Sequence, residues 1–137
     1  MNAMNDALRA YLDERGLEGD LLENGLAGLV ERWEAIVNEV ERGYELTIDD
    51  YLNDVDLRDI LAGAWELAPD HERQPLRARR DLADNRYRSV TQECPPLWGE
   101  AVTEEMGFTP EKEWWYFRRP RRPGQMLADD LAMDGLM

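Results

Sequence analysis

The sequence predicts an all-α protein: a single-domain irregular bundle of five or six helices, with a short extended segment near the C-terminus. Three observations carry that expectation. Apolar residues recur at steps of three and four over several long stretches. Glycine and proline punctuate those stretches where helices would start and stop. The 137 residues are 43% hydrophobic, which is too apolar for wholesale disorder and enough for one core.

The longest pattern organises the rest. From Leu22 the apolar positions are Leu22, Leu26, Leu29, Val30, Trp33, Ile36, Val37 and Val40, one stripe of a helix. Glu31, Arg32, Glu34, Asn38, Glu39 and Glu41 fall on the opposite face. Asn24 or Asp20 supplies an N-cap oxygen, and Gly43 after Arg42 suits the stop. Thr47 with Asp50 three residues later is a capping-box variant, so a helix starts at Ile48. Asn and Asp compete with helical hydrogen bonds, so a break is expected near Asn53–Asp56. A second helix then runs from about Asp56 to Leu67, closed by Pro69.

The flanking stretches are shorter. Met4, Ala7, Leu8, Tyr11 and Leu12 make a first helical stripe that Gly16 ends, and Leu17–Glu23 links it to the central helix. After Pro69 a helix begins at Asp70 or Pro75 and carries Leu76, Ala78, Leu82, Ala83, Tyr87 and Val90. Thr91–Pro96 reads as a loop. Leu97–Met106 reads as a helix with Leu97, Trp98, Ala101, Val102 and Met106 inward and Gly107 as its stop. Thr109-Pro110-Glu111 opens another short helix. Trp114, Trp115, Tyr116 and Phe117 favour extended backbone, and Pro120, Pro123 and Gly124 then interrupt regular structure. Met126–Met137 is a weak acidic helix or a frayed tail. The expected core is Leu26, Leu29, Trp33, Ile36, Val37, Val40, Leu52, Leu57, Ile60, Leu61, Leu82 and Trp98.

Charge divides the chain. Residues 1–72 hold 19 acids and 5 arginines, a balance of −14; residues 73–137 hold 11 acids and 11 bases. The first 72 residues are therefore the acidic half, 73–124 a neutral half rich in arginine and aromatics, and 125–137 an acidic end. An acidic half does not suit phosphate binding, so no direct nucleic-acid partner is expected. Arg73, Arg77, Arg79, Arg80, Arg86 and Arg88 surround one helix, and Asp49, Asp54, Asp56 and Asp59 are their expected intramolecular partners. No run approaches a membrane span, and the N-terminus lacks a basic region before an apolar core. One cysteine, Cys94, fits a reducing cytoplasm.

Catalytic constellations are missing from the sequence. There is one histidine, His71, and one serine, Ser89, with no Gly-x-Ser-x-Gly elbow. Cys94 beside two prolines reads as a structural thiol rather than a partner of His71. One Cys and one His do not make a zinc site. Asp50, Asp54, Asp56 and Asp59 crowd together, but from Asp54 the fifth calcium-loop position is Arg58 and the twelfth is Trp65. No metal and no cofactor are expected. Phosphate-cradling glycine loops are absent. Pro120-Arg121-Arg122-Pro123 matches P-x-x-P without the flanking basic residue that SH3 ligands carry.

The expected function is therefore a small acidic, non-catalytic interaction module, a regulator, inhibitor or adaptor docking on a basic protein surface. Two alternatives stand beside it: a nucleic-acid mimic that inhibits a DNA- or RNA-binding protein, and a small carboxylate-dependent enzyme with or without Mg²⁺. The interaction candidates are Trp114, Trp115, Tyr116, Arg118, Arg119, Arg121 and Arg122, residue types enriched at binding hot spots. The acidic surface candidates are Asp49, Asp50, Asp54, Asp56 and Asp59.

Overall fold

Six α-helices build the chain in the computed structural model, which describes residues 5–137. They are α1 (Asp6–Glu14), α2 (Asp20–Glu41), α3 (Ile48–Leu67), α4 (Asp70–Val90), α5 (Glu100–Met106) and α6 (Gln125–Met133). Two short strands, β1 (Thr91–Glu93) and β2 (Arg118–Pro120), pair antiparallel with Thr91 opposite Pro120. A 3-10 turn, Trp114–Phe117, leads into β2. The architecture is the expected all-α bundle around one continuous core. α2 packs on α3 and α4, α1 closes over α2 and α3, and α6 docks on α3. Among the described residues no helix is long and apolar enough to cross a membrane.

The central stripe behaves as its spacing dictates: Leu26, Leu29, Val30, Trp33, Ile36, Val37 and Val40 are all buried. The start of α2 differs from expectation. Neither Asp20 nor Asn24 caps it through a side chain. Gly25 instead adopts φ 59°, ψ −138° inside the helix and re-aims the chain there, a conformation costly for a residue with a Cβ.

α3 is continuous, so the break expected near Asn53–Asp56 does not occur. The two acids of the expected break bond across space rather than to their own backbone. Asp54 accepts from Tyr44 Oη at 2.5 Å and Asp56 from Tyr116 Oη at 2.5 Å. Tyr51, Val55, Leu57 and Leu61 bury the inner face. The Thr47–Asp50 capping box is present.

α4 begins at Asp70 and carries Pro75 in its interior, not at its first position. The hydrogen bond forfeited is the one to the His71 carbonyl, at an exposed residue. Leu82, placed in the expected core, is 60% exposed, because the inward position beside Ala83 goes to Asp84. Leu52 and Trp98 are half-buried rather than core. Of the six arginines of α4, none pairs with the acids of α3 among the described residues; Arg73 and Arg80 pair with Asp70 and Asp81 of α4 itself, Arg77 and Arg88 with no acid, and two reach α2. Arg79 binds Glu34 at 2.5 Å and Arg86 binds Glu41, since α4 lies along α2 and not along the acidic face of α3.

The C-terminal third departs most. Thr91–Glu93 is a strand, not loop. α5 starts only at Glu100 and buries Thr103, leaving Ala101, Val102 and Met106 exposed. Thr109–Glu113 makes one turn and no helix: Glu113 N bonds to Thr109 O at 2.9 Å and the chain passes on into the 3-10 turn. The four aromatics are therefore coiled, not extended. The C-terminal residues form α6, with Leu127, Leu131 and Leu136 buried, and are not a frayed tail. Met4 of the expected first stripe lies outside the described residues.

Candidate functional site: two clefts beside an aromatic turn

α3 presents two faces to the aromatic turn, and a cleft opens on each. Arg58, Ala62 and Trp65 lie on one, spaced four and three apart. Asp56 and Asp59 lie on the other, three apart. The 3-10 turn sets its aromatics in different directions. Trp114 and Trp115 line the first cleft and Tyr116 lines the second.

The tryptophan–arginine cleft encloses about 370 Å³. Its floor is a buried ion pair: Arg58 Nε and Nη2 donate to the two oxygens of Asp84 at 2.9 Å each. Trp33 Nε1 donates to the same carboxylate at 2.9 Å. The Arg58 guanidinium sits 4.7 Å from the Trp115 ring centre, Arg88 3.9 Å from that of Trp114, and Arg80 4.0 Å from that of Trp65. Arg80 also binds Asp81 at 2.8 Å. Two cations, Arg88 and Lys112, face two acids, Glu66 and Glu111, in what remains of the lining. Arg58, Arg80 and the ring faces are committed within the molecule, while Arg88, Lys112, Glu66 and Glu111 are exposed at the rim.

The interaction candidates fall here, in part. Trp115 and Tyr116 are buried and Trp114 is half-buried, so one adjacent tryptophan is inward and the other nearer the surface. The cause is the coiled turn, not strand alternation. The guanidinium on Trp114 is that of Arg88 from α4, not Arg118 or Arg119. Arg118 donates to Thr91 Oγ1 at 2.8 Å and to the Arg88 and Thr91 carbonyls, holding β2 against the end of α4. Arg119 is half-buried, and Arg121 and Arg122 are exposed. Pro120 is buried in the sheet, so the P-x-x-P stretch is not a free polyproline segment.

The acid cleft is larger, about 510 Å³. Its polar end is Asp56, Asp59 and Arg15. Arg15 lies 3.2 Å from Asp59 Oδ2 and 3.5 Å from Asp56. Arg15 is placed by α1: its Nη1 donates to Tyr11 Oη at 2.9 Å, and the hydroxyl end of Tyr11 lies against Gly63 of α3. A Cβ on Gly63 would come within 2.0 Å of that hydroxyl, so the glycine admits the ring that holds Arg15. Trp98, Val102, Met106 and Phe108 form the apolar wall with the Tyr116 ring. Phe108 packs on Tyr116 with ring centres 4.7 Å apart. Val102 is 42% and Met106 61% exposed, so the wall opens to solvent.

Electrostatics mark the same place. Burial raises the Asp59 carboxyl above its ordinary value, Arg15 opposes that, and Asp56 and Glu113 reinforce it. Burial and the neighbouring Asp56 carboxylate push the Tyr116 phenol far above its ordinary range, so it remains a hydrogen-bond donor. A carboxylate held in a cleft whose surroundings disfavour its charge is a signature of a functional site.

The five acidic candidates do not form one cluster. Asp56 and Asp59 share the cleft, Asp54 is tied to Tyr44, Asp50 caps α3 and Asp49 is exposed. Among the described residues no three His, Cys, Asp or Glu side chains converge as metal ligands. His71 lies in the first turn of α4 and Cys94 beyond its last, with roughly 28 Å of helix between them at 1.5 Å per residue, so they do not pair. Burial pushes the Cys94 thiol up to about 11, the behaviour of an inert thiol. Comparison with protein-family models, with curated proteins and with solved structures yields no match to this chain.

Proposed function

We propose that the protein is a non-catalytic interaction module whose acidic face docks on a basic surface of another protein. The observation that carries this reading is the acid cleft: two carboxylates countered by a single arginine, beside an apolar wall that stays exposed. Bound anchors combine apolar contact with charge complementarity, and this wall and this charge lie together. The net charge of −14 steers a basic partner toward it. Nucleic acid is not part of the reading: Arg79 and Arg86 are engaged by Glu34 and Glu41, and the chain as a whole repels phosphate. The lone Cys94 supports a reducing, cytoplasmic setting.

A second reading draws on Asp59 alone. A carboxyl with a raised titration point in a cleft suits general acid–base work, so a small carboxylate enzyme is the alternative. One experiment addresses the first reading. The purified chain is used as bait in lysate of its source organism, at low and high salt, beside Met106→Asp. Wild type should retain a discrete basic protein that high salt releases and that Met106→Asp fails to retain. Identical capture by both proteins would remove the cleft from the interface. Fluorescence anisotropy with duplex DNA and RNA at moderate salt should show no binding; tight, salt-sensitive binding would overturn the reading of α4.

A further inference from the structure

We propose that the acid cleft is a receptor for a lysine side chain carried between bulky apolar residues on the partner protein. This deepens the docking reading and rests on it. The lining joins two half-buried aromatic rings, Trp98 and Phe108, backed by the buried Tyr116, to two carboxylates, Asp56 and Asp59. Ring faces and carboxylates together are the surroundings in which an organic cation is held. The rings are already packed on one another, Phe108 on Tyr116 at 4.7 Å and Trp98 on Tyr116 at 6.1 Å between centres, so the wall needs no assembly on binding.

The hydrogen bonding selects the kind of cation. Arg15 takes Asp59 Oδ2, and the Asp56 oxygens are taken by Tyr116 Oη and Arg15. Asp59 Oδ1 has no partner among the described residues, although the side chain keeps 21% of its exposure. One open oxygen suits a compact ammonium donor. A guanidinium fork needs two, and Arg15 already spans the pair, Nη1 on Asp59 Oδ2 and Nη2 toward Asp56. A peptide also brings what a free amine lacks. Its flanking side chains reach the half-buried face of Trp98 beside the carboxylates. Val102 and Met106 offer the exposed apolar surface for the flanking side chains.

The test titrates the full isotope-labelled chain with the blocked peptide acetyl-Ala-Leu-Lys-Leu-Ala-amide, followed by backbone and indole NMR shifts. Versions with Gln or Arg in place of Lys, and n-butylammonium chloride, are run in parallel. Shifts should centre on the Trp98 indole, Val102, Met106, Phe108 and Asp59. The Lys peptide should bind about ten-fold more tightly than the Gln peptide, the cost of leaving a charged hydrogen bond unmade, and more tightly than the Arg peptide or the free amine. Asp59→Asn should reduce the Lys peptide to the level of the Gln peptide with an unchanged circular dichroism spectrum. Met106→Ser should weaken both peptides alike, and Asp49→Asn should weaken neither. Equal binding of Lys and Gln peptides would overturn the lysine site and leave an apolar docking groove, in which case the docking reading stands. Butylammonium binding as tightly as the peptide would replace the partner with a small amine. Shifts spread over exposed acids, or none in the cleft, would overturn the site. Joined to capture that ignores Met106→Asp, that last result would remove the docking reading as well.

Discussion

The two clefts on either side of the Trp114–Phe117 turn use the same ingredients to opposite ends. Both combine aromatic rings with charged groups on α3. In the tryptophan–arginine cleft Arg58 has both Asp84 oxygens, Arg80 has Asp81, and guanidinium groups cover the rings. In the acid cleft one arginine serves two carboxylates, and the apolar wall is open. A charge matched inside the molecule fixes the packing around it. A charge left short of partners beside exposed apolar surface is available to something else. The buried Arg58–Asp84 match, not composition, sets the two clefts apart.

The comparison breaks most severely at the matched side. Asp84→Ala strands the buried Arg58 and frees Trp33 Nε1, and should cost about 3–5 kcal/mol in chemical denaturation. Trp33→Ala should cost a similar 3–5 kcal/mol, roughly, through lost burial and a cavity, since the side chain is fully buried. A loss below about 1 kcal/mol from either would mean that the ion pair and its indole do not organise the core.

That ion pair was the part least legible in the sequence. Asp84 sits in an arginine-rich helix where periodicity favours Leu82 for the interior, and no local pattern signals that a carboxylate will be turned inward to meet Arg58 from α3. The large stripes were legible because burial of Leu26 through Val40 is set by spacing alone. The Thr47–Asp50 cap was legible because capping is local. The α3 break failed for the opposite reason: Asp54 is held by Tyr44 from the loop before the helix, and Asp56 by Tyr116 and Arg15, both distant in sequence. Of the acid cleft, Asp56 and Asp59 could be named from the chain. Arg15, Phe108 and the outward Val102 and Met106 could not, because their meeting depends on how α1 packs on α3 and on α5 lying across the cleft from it.

A smaller effect sharpens the acid side. Gly63→Ala favours the helix by about 1 kcal/mol in propensity but drives a methyl into the Tyr11 hydroxyl. The two oppose, so stability should change little while Arg15 loses its Tyr11 anchor. Binding of a cationic peptide should then change although the melting temperature barely moves. A drop of many degrees would show that Tyr11 cannot yield and that Gly63 serves packing alone. Smaller again, Glu34→Ala removes a partly exposed pair with Arg79 and should cost under about 1 kcal/mol. A loss equal to that of Trp33→Ala would place Glu34 on the wrong face of α2.

The smallest effect tests whether the acid cleft is held at a disadvantage. The Asp59 carboxyl titrates above its ordinary 3.8 in the folded protein, with burial the leading cause, Arg15 opposing, and Asp56 and Glu113 adding. Between 3.8 and that raised value the folded state holds more protons than the unfolded state, so stability falls as pH rises through the window. Below it both states are protonated and Asp59 contributes nothing; above it both are ionised and the full penalty stands. The sign is the reverse of a carboxylate whose ion pair outweighs burial. Asp59→Asn keeps an acceptor for Arg15 and never pays for the charge. The variant's melting temperature should therefore gain on wild type as pH rises through the window and hold that gain at neutral pH. A difference that grows in the other direction would mean that Arg15 over-compensates the burial. Asp59 would then be matched like Asp84, and the contrast between the two clefts would collapse.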